Sequence, residues 1–236
     1  MSISLGSGEN GGVAPPEPAG STDEPTVGRR PPKARLALID AAKRMLARRD
    51  FAGFTIDDVV REAGVARGSF YNHFRHLDEL VRVTRDLVQV ELAAAVAAAT
   101  ADSPDPPTSI ARGIATMMRF GYTNRADAPL LMGHGRGAAD PAAAGNALLA
   151  AALHDGVERG DLDIRNLEMG FVAVRGICEL GLSRMLVVHH EFSAVHELTV
   201  GMCLSALRAL GVPHERAEPV AIAAVARAFS SVIDVR

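Results

Sequence analysis

Tryptophan is absent from this sequence, and tyrosine and cysteine occur only twice each. Aromatics make up 4% of residues against 48% hydrophobic residues in all, so the core must be built mainly from Ala, Leu and Val. Two cysteines are too few for a disulfide framework. Cys178 and Cys203 both fall in helical patterns, where buried free thiols are expected. No apolar run reaches the roughly 18–20 residues of a membrane span; the nearest, Phe171 to Val188, is broken by Arg175, Glu179 and Arg184. No charged start followed by an apolar stretch opens the sequence, so no secretory signal is expected, and the expected location is cytoplasmic. Strand alternation and internal repeats are also missing. What remains is an alanine-rich sequence of helical periodicity, and the expected class is all-α.

The most informative stretch is residues 55–80. Thr55 stands where a helix begins, with Asp57 and Asp58 in its first turn. Thr55 and Asp58 have capping-box spacing, with Asp in place of the longer Glu. Ile56, Val59, Val60 and Ala63 form an apolar stripe. Gly64 stops the helix, because glycine tolerates the left-handed conformation of a tight turn, and Val65 can plug that turn. A second, short helix starts near Arg67, with Phe70 and Phe74 facing inward. That leaves Arg67, Ser69, Tyr71, Asn72 and His73 outside, with no acid among them. Arg and Asn can make bidentate contacts to guanine and adenine edges. Ser, Tyr and His can donate to phosphates, and Gly68 lets the backbone come close to a ligand.

Charge is unevenly placed. Between Arg29 and Arg85 there are 13 Lys and Arg against 7 Asp and Glu, a net of +6 in a chain of net −3. A basic head on an acidic body suits phosphate binding. Ahead of it, residues 1–32 are rich in Gly, Pro, Ser and Glu, and such composition predicts disorder. The basic run Arg29, Arg30, Lys33 and Arg35 reads as a charged linker or a minor-groove arm.

These residues resemble the helix-turn-helix of TetR-family transcriptional regulators. The stretch Ala-Gly-Val-Ala-Arg-Gly-Ser-Phe-Tyr-Asn-His-Phe, 63–74, is similar to the family's turn and recognition helix. Asp78-Glu79-Leu80 is similar to the start of its long linking helix, and Lys33 to Arg49 with Phe51, Gly53, Phe54 and Thr55 to its first helix. The resemblance implies an N-terminal three-helix DNA-binding domain over 33–94, with its motif at 55–74, and a larger helical ligand-binding and dimerisation domain over 95–236. It gives Thr55, Arg67, Ser69, Tyr71 and His73 DNA-contact roles and makes Asn72 a variable, specificity-setting position. The implied function is a sequence-specific regulator of double-stranded operator DNA, a homodimeric repressor released by a small-molecule effector. Two positions depart from the pattern. Ala66 stands where the family often has a capping serine, and Leu77 where it often has a phosphate-binding lysine; Arg75 or His76 can take over that contact.

The remaining pattern is helical. Leu36, Ile39, Ala42, Met45 and Leu46 mark the buried side of the first helix. Leu80, Val83, Leu87, Val90 and Val96 mark that of a long helix from Asp78 to Thr100. Further helices are expected from Thr108 to Asn124, at Pro129, from Pro141 to Gly160, from Asn166 to His189, from Ser193 to Leu210, and from Glu215 to Ser231. The helices 166–189 and 193–210 carry more apolar surface than a monomer buries on one face, which favours a dimer; the family pairs the corresponding helices in a four-helix bundle. The family's middle helices commonly enclose a small-molecule pocket, and the candidates here are Met117, Met118, Phe120, Tyr122, Met132, His134, Leu153 and Phe171. Arg175 and Glu179, one turn apart, can anchor a polar ligand group or pair at the dimer seam; the seam is the expectation, with Arg175 kept as a pocket candidate.

Other chemistry has little support. His154 and Glu158 share a helix face without a third metal ligand. His189, His190 and His196 sit near a helix junction, where histidine is favourable for dipole reasons alone. The loop Gly133-His134-Gly135-Arg136-Gly137 lacks a preceding strand and a following Lys-Ser/Thr, so it reads as a helix break. No serine or cysteine is matched to a base. Neither enzymatic activity nor a cofactor is expected.

Overall fold

A computed structural model describes residues 32–48, 54–132, 146–187 and 191–233. Among these it has ten helices and no strand, an all-α architecture. Helices α1 (Lys33–Ala47), α2 (Ile56–Ala63) and α3 (Arg67–Tyr71) form the head, and α4 (Leu77–Thr100) leads out of it. The body consists of α5 (Pro106–Thr123), α6 (Ala128–Leu131), α7 (Ala147–Glu158), α8 (Leu167–Val187), α9 (Phe192–Ala209) and α10 (His214–Ile233). The loop at 133–137, His134, Pro141, His189 and His190 lie outside the described residues, as do Phe51 and Gly53.

Local chemistry accounts for the boundaries. The Thr55 hydroxyl accepts from the Asp58 amide at 3.3 Å, and the Asp58 carboxylate accepts from the Thr55 amide at 2.9 Å. The capping box therefore closes with the shorter acid. Gly64 ends α2 at φ 66°, the left-handed cap its sequence position suggested. His76 Nδ1 accepts from the Glu79 amide at 3.1 Å and caps α4. Asp105 caps α5 through the Thr108 amide at 2.8 Å, with Pro106 and Pro107 opening the helix.

Two hydrophobic clusters organise the fold. In the head, Leu38, Ile39, Val59, Phe70, Phe74 and Leu80 are buried together, with Val65, Leu77 and Val83 packed against them. The body cluster centres on Ile110, Ile114, Met118, Leu182, Met185 and Phe229. Helix α4 serves both: its start closes the head core, and Val88 and Leu92 join the body.

Three expected core positions are exposed. Leu36 is 43% exposed, Leu87 38% and Val90 63%. The buried line of α4 runs Leu80, Thr84, Val88 at four-residue spacing, and Val90 lies about 200° around the helix from Val88. On α1 the buried line includes Leu38 and Ala41 instead of Leu36. The bulky residues named on α8 and α9 are mostly consumed within the monomer. Phe171, Val174, Cys178, Leu182, Met185, Val195, Met202 and Leu207 are buried. The apolar surface left over on α8 belongs to Leu167, Met169, Val172, Leu180 and Val187.

Candidate nucleic-acid interface and ligand cavity

Helix α3 is held by its aromatic side. Phe70 is fully buried, Phe74 nearly so, and their rings pack with centroids 5.9 Å apart. Arg35 lies 5.4 Å over the Phe74 ring, which engages one cation of the basic run. With that side anchored, Arg67, Gly68, Tyr71 and Asn72 are exposed, while Ser69 and His73 are half-buried. Tyr71 is 52% exposed, a large amphipathic ring held at the surface. Thr55, at the start of α2, is also exposed, and its hydroxyl donates to Asp58 at 2.7 Å.

Arg67 is not idle. Its Nη1 donates to both oxygens of Asp57, at 2.8 and 2.9 Å. The nearby Tyr71 hydroxyl, and after it Asp57, raise the guanidinium pKa above its ordinary value, so the charge is permanent. Asp57 had read in the sequence only as a favourable first-turn charge.

At the two departures from the family pattern, Ala66 precedes α3 in an extended conformation and gives it no side-chain cap. Leu77 packs against the head core instead of reaching outward. Of the two substitutes, His76 spends Nδ1 on the α4 cap. Arg75 is exposed, and its side chain has no ion-pair partner among the described residues.

A second feature lies in the body. A cavity of about 90 Å³ opens between α4, α5, α7 and α8. On α4 its wall is the stripe Gln89, Leu92, Ala93, Val96 and Thr100, residues that share one helical face. Ile110, Ile114 and Met117 come from α5, Leu149 and Ala152 from α7, and Val174, Arg175 and Cys178 from α8. Met117 and Arg175 are thus the sequence candidates that line it. Met118, Phe120, Leu153 and Phe171 are buried in the body core, and Met132 packs against it. Tyr122 stacks edge-on with Phe192 and Phe229, at 6.1 and 6.4 Å. Gln89, Ser109 and Asn146 were not singled out in the sequence, and Cys178 was read there only as a buried free thiol. Of the α4 wall only Val96 belonged to the apolar line read in the sequence, and nothing there showed which side of the helix faced a gap. Burial raises the Cys178 thiol to about 11 and pushes Cys203 higher still, so both stay protonated.

Residues 38–83 match the family model described as bacterial regulatory proteins, tetR family. This segment is a tetR-family N-terminal domain. The matched segment holds all of α2 and α3, most of α1 and the start of α4. Solved structures extend the likeness in fold to the tetR-family body. RolR in complex with resorcinol is 19% identical, with a TM-score of 0.56 over 80% of this chain and 93% of that one. A TetR family transcription regulator from Marinobacter aquaeolei VT8 is 16% identical, with a TM-score of 0.60 over 75% and 95%. The transcriptional regulator FadR from Bacillus subtilis, in complex with stearoyl-CoA, is 12% identical, with a TM-score of 0.61 over 74% and 98%. No helix among the described residues is long and apolar enough to cross a membrane.

Proposed function

We infer that this tetR-family regulator binds operator DNA as a homodimer and is released by a small molecule that enters the body cavity. The observation that carries the reading is the outward face of α3. Arg67, Gly68, Tyr71 and Asn72 are presented together, unobstructed, on a helix whose other side is locked by Phe70 and Phe74. Such a face can enter a major groove, with Arg67 and Asn72 reading base edges. Tyr71, Ser69, His73, Thr55 and Arg75 hold phosphates and set register. One short helix reads few bases, so two copies related by a twofold are needed to reach half-sites a helical turn or more apart.

The release step uses α4. Its first turns complete the head core, and its later turns form the cavity wall. A ligand that displaces the wall therefore displaces the head. Lys43 of α1 reinforces this link by pairing with Glu91 of α4 at 3.6 Å and with Asp127 beside α6 at 3.5 Å. RolR is solved with resorcinol and FadR with stearoyl-CoA, so this fold accommodates small molecules in those proteins. Repression follows if the operator overlaps a promoter.

The reading is tested by fluorescence anisotropy with duplex DNA from upstream of the protein's own coding sequence. Specific binding should exceed that of a scrambled duplex by at least a hundredfold at moderate salt, with log affinity falling linearly in log salt. Equal affinity for the two duplexes would remove the regulatory function.

A further inference from the structure

The cavity has a chemical bias. Among the described residues that line it, Arg175 alone is charged. Its Nε is buried and has no hydrogen-bond partner. Glu179, one turn further along α8, stands 3.9 Å from Nη2, beyond hydrogen-bond range. The two form a long ion pair that leaves Nε without an acceptor, and Arg175 lines the cavity. A buried donor without an acceptor is costly, and water is a poor substitute where most of the lining is apolar. Cys178, the nearest other ionisable group on the wall, keeps its proton and offers no negative charge. Leu92, Val96, Ile110, Ile114, Met117 and Leu149 supply a hydrophobic lining to the space that Arg175, with its unpartnered Nε, also lines.

We propose that the cavity selects a small organic carboxylate, with its acid group on Arg175 and an apolar or aromatic body among the α4 and α5 side chains. A guanidinium edge, Nε with a neighbouring Nη, matches the two oxygens of a carboxylate. Ser109, Gln89 and Asn146 line the same space and can orient a second polar substituent. A space of about 90 Å³ is room for roughly six to nine water-sized groups, the scale of a single substituted ring. This inference rests on the reading of the cavity as the effector site.

The test compares benzoate with benzamide, which has the same shape and no charge, on the full-length protein. Thermal shift and calorimetry measure binding, and operator anisotropy measures release. Benzoate should raise the melting temperature in a dose-dependent way, and benzamide should bind at least tenfold more weakly. Arg175→Gln should erase that preference while retaining operator affinity without ligand. Equal binding of the two probes, binding of neither at millimolar concentration, or benzoate binding that survives Arg175→Gln would each overturn the proposal. The wild-type comparison decides the matter even if the variant folds poorly. Benzoate bound through Arg175 without release of DNA would sink the effector reading and leave the carboxylate site standing. A neutral ligand that fills the cavity and releases DNA would do the reverse.

Discussion

Arg67 shows how much a single side chain's setting adds to its identity. The sequence marks it as a base-reading guanidinium, and the fold gives it Asp57 as a resting partner. Both groups are more than half exposed, and exposed pairs of this kind contribute little to stability. Under the proposed DNA-binding function, exchanging Asp57 for a guanine edge or a phosphate would therefore be cheap, with Asp57 as the resting partner of the arginine. Arg67→Ala should weaken operator binding by about 1–3 kcal/mol and relax preference at one base position. Asp57→Asn should strengthen binding to any duplex several-fold at low salt, with the gain fading as salt rises. Unchanged affinities in both variants would place Arg67 outside the interface. Ala66 gives a complementary case, because its backbone is already extended as an N-cap requires and only the hydroxyl is missing. Ala66→Ser should stabilise the head by about 1 kcal/mol, seen as a rise of roughly 2–4 °C in melting temperature.

Elements were legible wherever their signals are local. The Thr55–Asp58 box, the left-handed Gly64 and the inward Phe70 and Phe74 depend on neighbours within a few residues, and all can be read from the chain; α5 was expected from Thr108 and starts two residues earlier, at Pro106. Leu87 and Val90 could not be placed, because which side of α4 is covered depends on where α5 lies. The cavity was harder still. Met117 and Arg175 line it while Met118, next to Met117, is fully buried, a distinction set by helix rotation and not by residue type. Local geometry also sets the acid response. Hydrogen bonds from Thr55, backbone first, and then the charge of Arg61 hold the Asp58 carboxyl below its ordinary value. At Asp105 burial pushes upward, but hydrogen bonds from Thr108 and Arg216 outweigh it and leave a lowered pKa. A depressed carboxylate contributes its stabilisation in full above the unfolded value near 4 and loses it as pH falls through the folded value. The melting temperature should therefore hold on the neutral side and drop below about pH 4. Asp58→Asn should flatten part of that drop, and an identical acid profile in the variant would show that the cap does not titrate with folding. Between α9 and α10, Gly211 sits at φ 81°, and a Cβ there would come within 2.6 Å of the Asp163 carbonyl oxygen. Its neighbour Leu210 accepts the Asp163 amide at 3.0 Å, so the approach is fixed. Gly211→Ala should cost about 1–3 kcal/mol in thermal unfolding.

At the scale of the whole molecule, the surface left bare on α8 is where the proposed homodimer has apolar area to bury. Met169, Val172, Leu180 and Val187 are all at least half exposed, and Leu180 reaches 74%. With Gly176 they fall within a single stripe of the helix, since 176, 180 and 187 return to nearly the same angle. The glycines of α8 divide by role. A Cβ at Gly170 or Gly181 would strike Ile164 or Met202 within the chain, whereas Gly176 faces open space. Gly201 of α9 is also open, so each helix offers one smooth point for close approach by another backbone. A second copy docked on this stripe would cover four large apolar side chains whose burial the monomer forgoes, each offering on the order of 1–2 kcal/mol. Leu180→Glu tests the arrangement without touching the monomer core. In a twofold interface the change occurs twice and brings two carboxylates into an apolar seam, where burying unpaired charge is prohibitive. Sedimentation should show a monomer that still unfolds cooperatively, and operator affinity should fall at least tenfold because the two heads are no longer linked. A variant that remains dimeric would move the interface off this stripe, and a monomeric variant with undiminished operator affinity would separate DNA recognition from dimerisation altogether.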